Sequence, residues 1–374
     1  MRIVSTSYSG TPAYDDPQAW LKRISFYTGL LEHLSHTHEV HSIERINYEG
    51  SLTQKGVHYH FINIGGERVI FPFHMHQLIR KLDPDVVFVN GFIFPFQLLQ
   101  LRFALAKKTR IVVLHRAELP FKGWKRYMQV VADKFVDAYL FASAEFGRQW
   151  RAQGIISDSK KINEVVQVSS SFVAVDKAAA RSKVNVTGDL VYLWVGRLND
   201  NKDPLTVLKA FIQFLRRRPG VKLYMIYQED DLLAAVQKML AENNLTSSIM
   251  LVGPIPHEAL ADWYSAADFL ISGSHHEGGG IVASEAMSCG CIPLLTDIPA
   301  FSSMTGPGAC GFLFEPGDVK ALSNLLSATL SMNRNVESTK ALQHFQKELS
   351  FNAISHKISR ILENLVNPPP ATRK

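Results

Sequence analysis

The chain has 374 residues, of which 46% are hydrophobic and 20% charged, with a formal net charge of +6. This length suits two domains rather than one ordinary core, and the composition excludes a disordered or low-complexity protein. No apolar run reaches the roughly 18–20 residues that span a bilayer, the start Met1-Arg-Ile-Val-Ser enters a strand rather than a signal peptide, and Cys289, Cys291 and Cys310 lack metal-like spacing, so a reduced cytoplasmic protein is expected.

Short apolar runs alternate with amphipathic stretches along the whole chain. The first half is predicted as a strand over 2–7, a loop over 8–16 and a helix through about residue 34, opened by Asp16 as N-cap with Pro17 at the first helical position. Strands follow over 40–46 and 58–64, a helix over 73–82, a strand over 85–90, a helix over 94–106 and a strand over 110–114. A helix over 127–135 and strands over 138–142 and 165–168 complete that half. Residues 176–189 are polar and lack a strand pattern, which places a linker there between domains 1–175 and 190–350. The alternation restarts with strands over 190–195, 222–227, 249–252, 269–272, 292–296 and 311–314. Helices are expected over 204–217, 231–243, 258–266, from about 282 and over 318–331. A last amphipathic helix covers 351–366, and the tail 367–374 is expected to be disordered. Strand and helix in strict turn imply two mostly parallel, doubly wound sheets, with ligands at the carboxyl ends of their strands.

The charge is uneven. Residues 1–180 hold 22 Lys and Arg against 16 Asp and Glu, and the remainder balances. Arg102, Lys107, Lys108, Arg110, Arg116, Lys122, Lys125, Arg126 and Lys134 fall within residues 102–134, interleaved with Phe121, Trp124 and Tyr127. An anionic membrane suits this stretch better than nucleic acid, for which no motif is present; a solvated basic face is the alternative.

Two stretches carry chemistry. In 274–293 two carboxylates, Glu277 and Glu285, flank Gly278-Gly279-Gly280 and a helix start. The glycines permit positive φ and close ligand approach, the helix N-terminus suits a diphosphate, and a carboxylate can accept from a pair of sugar hydroxyls; a bland tight turn would also fit. The other stretch, Val195–Lys202, places Arg197 and Lys202 in one loop after a strand, as phosphate binding needs, or as a solvated turn would allow.

Together with Gly196-Arg-Leu, Lys202-Asp-Pro, Gly253-Pro-Ile-Pro, Glu285-Ala-Met-Ser-Cys-Gly-Cys-Ile-Pro293 and Gly311-Phe-Leu-Phe-Glu-Pro-Gly-Asp318, these stretches resemble the retaining glycosyltransferases of family 4. The resemblance covers nearly all of 190–330 and, more faintly, the first half. It implies an α/β protein of the GT-B fold, with two facing Rossmann-like domains and a C-terminal helix crossing back to the first. It further implies a hexosyltransferase-like enzyme that moves a sugar from a nucleotide-diphosphate sugar to a hydroxyl of a glycan, lipid-linked or small-molecule acceptor, with retention and without a metal or other cofactor.

By the same resemblance, Glu277 holds donor-sugar hydroxyls, Glu285 the ribose, and Arg197 with Lys202 the diphosphate, helped by backbone at Gly279, Gly280, Ile281 and Val282. Pro254 and Ile255 fall at the nucleobase, and His115 is the cleft histidine, expected with Glu277 as a catalytic residue and in contact with donor or acceptor sugar, with Arg116 and Glu118 as acceptor-side neighbours. The first loop departs from the family: where paired glycines are usual near the diphosphate, only Gly10 is present. A bulkier acidic turn, Tyr227-Gln-Glu-Asp-Asp231, replaces a usual glycine-rich one. The competing classes are a catalytically silent sugar-nucleotide-binding subunit and an epimerase or phosphorylase on the same fold. A silent subunit would be expected to lose some of Arg197, Lys202, Glu277 and Glu285, and a phosphorylase needs a cofactor lysine and a longer chain. Expected localisation is cytoplasmic, with peripheral contact at the inner membrane face.

Overall fold

The computed structural model describes residues 1–66, 69–306 and 309–368. The chain divides into a first unit, Met1–Ser169 with Phe351 onward, and a second unit, Ser170–Ser350.

The first unit holds strands β1 (Arg2–Thr6), β2 (Glu39–Ile46), β3 (Gly50–Gln54), β4 (Val57–Asn63), β5 (Val86–Asn90), β6 (Arg110–Leu114), β7 (Ala138–Phe141) and β8 (Ile162–Glu164). They form one sheet in the order β3-β4-β2-β1-β5-β6-β7-β8. All pairs are parallel except β3 with β4. Central strands such as Val86–Val89 and Ile111–Leu114 are fully buried, as continuous apolar runs in a covered parallel sheet should be. The order reverses direction between β1 and β5, so this sheet has its topological switch point there.

The second unit holds β9 (Val191–Gly196), β10 (Lys222–Tyr227), β11 (Ile249–Gly253), β12 (Phe269–Ser272), β13 (Ile292–Thr296) and β14 (Phe312–Phe314). Their order is β11-β10-β9-β12-β13-β14, all parallel, with the switch point between β9 and β12. Its core joins Tyr192 and Trp194 of β9 to Phe211 and Phe214 of the helix Pro204–Leu215.

Several elements differ from the sequence expectation. The first helix is two, Pro17–Arg23 and Ser25–Leu34, meeting at Ile24, although Asp16 does cap the first by accepting from the Gln18 and Ala19 amides. The expected strand over 165–168 is not formed: pairing occurs just before it, at β8, and ends with the Val165 amide donating to the Phe141 carbonyl at 2.7 Å. Residues 176–189 are not a free linker, since the units divide between Ser169 and Ser170. Asp176 caps a helix, Lys177–Lys183, whose Lys177 and Arg181 each lie 2.9 Å from the buried carboxylate of Asp268. Lys177 and Arg181 pair with Asp268 and Lys183 with Asp262 within the second unit, while most other residues of the stretch face solvent.

The helix Phe351–Val366 belongs to the first unit. It packs on Ser25–Leu34, with Ile354, Ile358 and Leu362 buried in the same cluster as Leu30, Leu31 and Leu34. A Cβ on Gly29 would stand 2.5 Å from Phe351 Cε2, so the close approach of the two helices requires glycine at that position. Residues 369–374 of the expected disordered tail lie outside the described residues. No helix among the described residues is long and apolar enough to cross a membrane.

Candidate functional site

In the second unit the two loops that leave β9 and β12, the strands either side of the switch point, are tied together. The His275 amide donates to the Asn201 carbonyl at 2.8 Å, Asn201 Nδ2 donates to the His276 carbonyl at 3.0 Å, and His275 Nε2 lies 3.0 Å from Asp203 Oδ2. Asp203 in turn caps the helix Pro204–Leu215 from a left-handed backbone (φ +41°), accepting from the Thr206 amide. This stitching brings Lys202 Nζ into a hydrogen-bonded ion pair with Glu277, both side chains largely buried. Two residues 75 positions apart in sequence thus share one point at the carboxyl edge of the sheet.

Gly280 heads the helix Ile281–Ser288. Of the three successive glycines it alone adopts the left-handed region (φ +58°), and a Cβ there would stand 2.7 Å from Met304 Sδ and 2.8 Å from Phe301 Cε1. No side chain caps this helix, so its first amides and the positive end of its dipole are presented beside Gly279, Gly280, Ile281 and Val282. The expected helix start near residue 282 would put Glu285 in the first turn; with the helix beginning at Ile281 it is not there. It lies a full turn inside, is buried, and has both oxygens engaged: His257 Nε2 is 2.6 Å from Oε1 and the Tyr264 hydroxyl donates to Oε2 at 2.9 Å. Burial, reinforced by this carboxylate, pushes the Tyr264 phenol well above its usual range.

Arg197 follows β9 and is half-exposed, with Nη1 3.6 Å from Glu229. The acidic turn therefore supplies a counter-charge for a cation that would otherwise face solvent alone. Pro254 is exposed and Ile255 half-buried beyond Gly253, at the end of edge strand β11. Their loop runs on to His257 and so is joined to Glu285. No motif in the sequence marks His257, Tyr264 or Glu229 for this site. Glu229 falls in the acidic turn that departs from the family pattern, and His257 shares no metal-ligand spacing with His275 and His276.

In the first unit, a cavity of about 400 Å³ opens at the carboxyl ends of β1, β2, β5 and β6, around the β1/β5 switch point. Arg116, Glu118, Asn90, Tyr27, Glu44 and Trp20 line it. Arg116 lies over the Tyr27 ring at 4.6 Å and donates through Nε and Nη2 to Asn90 Oδ1 at 3.1 and 2.5 Å. Glu118 accepts from the Phe92 and Arg116 amides at 2.5 and 2.6 Å, closing the loop on itself. Glu44 accepts from Ser42 and from Trp20 Nε1, and burial raises its carboxyl above the usual range.

His115 is not among the residues lining this cavity. Its ring is buried beside Phe141, Phe146 and Trp150, at 4.6, 5.7 and 5.8 Å, with Nε2 3.0 Å from the Glu118 carbonyl. It braces the 115–118 loop, and Arg116 and Glu118 are the side chains presented. Gly10 is exposed in the first loop, where a Cβ would meet Ile64 at 2.9 Å; its φ is not in the left-handed region.

A crossing loop pair, an uncapped glycine-headed helix and a cation–carboxylate pair at a switch point define a site for an anionic, hydroxyl-rich ligand in a two-unit α/β protein. Residues 176–348 match the model of the family described as glycosyl transferases group 1, and the second unit of this chain is a domain of that family. Among curated proteins, the chain is similar to the GDP-mannose:cellobiosyl-diphosphopolyprenol alpha-mannosyltransferase of Xanthomonas oryzae pv. oryzae, 26% identical over 78% of this chain and 72% of that one. The D-inositol 3-phosphate glycosyltransferase of Nocardia farcinica is 29% identical over 41% of this chain and 36% of its own. Solved structures agree on the fold. A glycosyltransferase from Rickettsia africae aligns with TM-score 0.75 at 16% identity, covering 98% of this chain and 99% of that one. The sucrose-phosphate synthase of Thermosynechococcus elongatus aligns with TM-score 0.72 at 18% identity, covering 97% and 98%. The fold is GT-B.

Proposed function

We propose that the chain transfers a hexosyl group from a nucleoside-diphosphate sugar to a hydroxyl of a lipid-linked glycan, with retention of anomeric configuration and without a metal ion or other cofactor. The observation that carries this is the Lys202–Glu277 pair beside the Gly280-headed helix. Lys202, Arg197 and the first amides of Ile281–Ser288 supply fixed positive charge where a departing diphosphate develops negative charge, and such preorganised electrostatics is the largest lever on this kind of step. Glu277 is the acceptor for donor-sugar hydroxyls, Glu285 for the ribose, and Pro254 with Ile255 for the base. The cavity around Arg116 takes the acceptor, and Gly10 borders its side of the first loop. His115 acts through the loop it braces. Retention rests on the family resemblance, and the lipid-linked acceptor on the activity for which the Xanthomonas relative is named. An anionic membrane, at its cytoplasmic face, is the partner assigned to the basic stretch 102–134; the described cysteines are all unpaired thiols, which fits a reducing compartment.

The test is a panel of guanosine-, uridine- and adenosine-diphosphate sugars, read by donor hydrolysis and thermal shift. One donor is expected to stabilise and hydrolyse, with an axial or equatorial product anomer matching the donor by NMR, and with turnover unchanged by a chelator. An inverted anomer removes retention, chelator sensitivity removes metal independence, and no response to any donor removes the proposal altogether.

A further inference from the structure

The helix Trp124–Asp133 is amphipathic in the reverse of the usual sense. Its inward positions carry Gln129 and Asp133, both buried and both satisfied. Gln129 Nε2 donates to the Phe92 carbonyl at 2.8 Å while Oε1 accepts from the Phe121 amide, and Asp133 accepts from the Tyr139 and Ser157 hydroxyls. Trp124, Tyr127 and Val131, spaced as one helical stripe, point outward and are 71%, 68% and 42% exposed. The adjacent helix Pro95–Ala104 buries Leu98 and Leu101 but also turns Phe96 and Phe103 outward, the latter 82% exposed. Beyond it, the Phe71 ring stacks on exposed Phe73 and meets Phe96 edge-on, each at 6.0 Å. Isolated exposed apolar side chains are ordinary, but a run of them across neighbouring helices is what interaction surfaces look like.

The charge beside this face is of one sign. Four of the nine cations in 102–134 are engaged inside the unit: Arg102 with the Thr109 carbonyl, Arg110 with Asp137, Arg116 with Asn90 and Arg126 with the Gln153 carbonyl. Lys108 pairs with Asp83. Lys107, Lys122, Lys125 and Lys134 are exposed, with no ion-pair partner among the described residues. The two carboxylates of the stretch, Glu118 and Asp133, are turned inward.

We propose that this face inserts into the interface of an anionic lipid bilayer, with Phe103, Trp124 and Tyr127 seated at headgroup level and the free lysines on anionic headgroups. Amphipathic aromatic rings favour that depth, and lysine-rich surroundings supply the complementary charge. The inference deepens the membrane contact proposed above by adding an apolar contribution that salt does not screen, and it does not depend on the acceptor's being lipid-linked.

Co-sedimentation of the full chain with vesicles of phosphatidylglycerol in phosphatidylcholine, at about 0.1 M and about 1 M NaCl, separates the two contributions. The parent is expected to bind at low salt and to keep part of that binding at high salt. Combining Phe103→Ser, Trp124→Ser and Tyr127→Ser should lower partitioning about tenfold or more and make the remainder salt-labile. Lys122→Glu with Lys125→Glu should weaken low-salt binding and spare the high-salt fraction. All five side chains are in solvent, and thermal melting checks that each variant is folded. Lys202→Ala should keep full vesicle binding, so that failure of sugar transfer and failure of docking register separately. Absence of parent binding at low salt, or full binding by the triple serine variant, overturns the proposal. So does self-association that the serine variant abolishes in a protein that ignores vesicles.

Discussion

His257 and Glu285 are joined by a 2.6 Å hydrogen bond from an exposed imidazole to a buried carboxylate, and Tyr264 holds the carboxylate's other oxygen from inside. Each carboxylate oxygen can accept more than one hydrogen bond, so a ribose can engage Glu285 beside His257 or in its place, and the half-exposed His257, which also packs on Phe172, is the partner on the solvent side. His257→Ala is expected to leave nucleotide affinity unchanged or tighter by calorimetry. A tenfold loss would instead make the imidazole a ligand in its own right. Tyr264→Phe removes a buried hydrogen bond to a charged acceptor and should cost about 1.5–3 kcal/mol in denaturant unfolding.

Arg197 faces Glu229 at 3.6 Å, so an incoming diphosphate competes with a carboxylate for it. Arg197→Ala or Lys202→Ala should weaken nucleotide binding by about 1–3 kcal/mol. Glu229→Gln should strengthen it modestly, because the competing charge is gone. Calorimetry showing the Arg197/Lys202 double variant as tight as the parent would take both cations out of the site.

Glu277→Gln keeps the shape of its side chain and removes the charge that pairs with Lys202. Transfer is expected to collapse while nucleoside diphosphate binding holds or improves, since Lys202 is released towards phosphate. Wild-type turnover with the preferred donor would strip Glu277 of its role with the sugar.

Gly280→Ala places a methyl group against Met304 and Phe301 on a left-handed backbone. The strain and overpacking together should cost about 2–4 kcal/mol, read as a lowered unfolding midpoint, and should disturb donor binding as the helix start shifts. An unchanged midpoint would mean the loop relaxes freely, contrary to the packing described.

Burial holds the His76 imidazole down at about 4, its Nε2 2.9 Å from the Tyr8 hydroxyl. The unfolded chain takes up this proton near the ordinary value of about 6.5, so stability is intact above that pH and falls as pH drops towards about 4. At pH 5 the loss from this group should be about 2 kcal/mol relative to pH 8. Burial lowers His41 and His60 as well, adding in the same direction. Urea titrations at the two pH values check this, and His76→Gln should flatten part of the slope.

Much of the architecture could be read from the sequence because buried parallel strands are continuous apolar runs, as at Val86–Asn90 and Val191–Gly196, and because Asp203-Pro204 and Asp318 mark helix starts chemically. The first helix hid its break, since Trp20 and Ile24 keep helical spacing through it. The polar helix Arg334–His344, with only Ala341 buried, has no apolar stripe to detect. The helix expected over 127–135 runs from Trp124 to Asp133, and local sequence could not say which side faced inward. That was decided by hydrogen bonds from Gln129 to backbone 37 and 8 residues away. In the site, residue identity pointed to Lys202 and Glu277 separately, whereas their pairing depends on Asn201 and His275 stitching two distant loops. The burial of Glu285 and its bonds to His257 and Tyr264 lie outside any local pattern, so sequence shows the carboxylate but not what already holds it.

Phe351 on Gly29 makes the first unit discontinuous in sequence, its core completed by a helix that follows the whole second unit in the chain. Throughout synthesis of the second unit, the apolar side of Ser25–Leu34 has no cover, a window for misassociation that a contiguous domain would not have. A fragment ending at Ser169 should accordingly be insoluble or loosely folded, and a peptide of residues 351–366 supplied in trans should restore it. The order of chain elongation thus enters the folding of this protein: the second unit is contiguous, while the first must wait for residues 351–366.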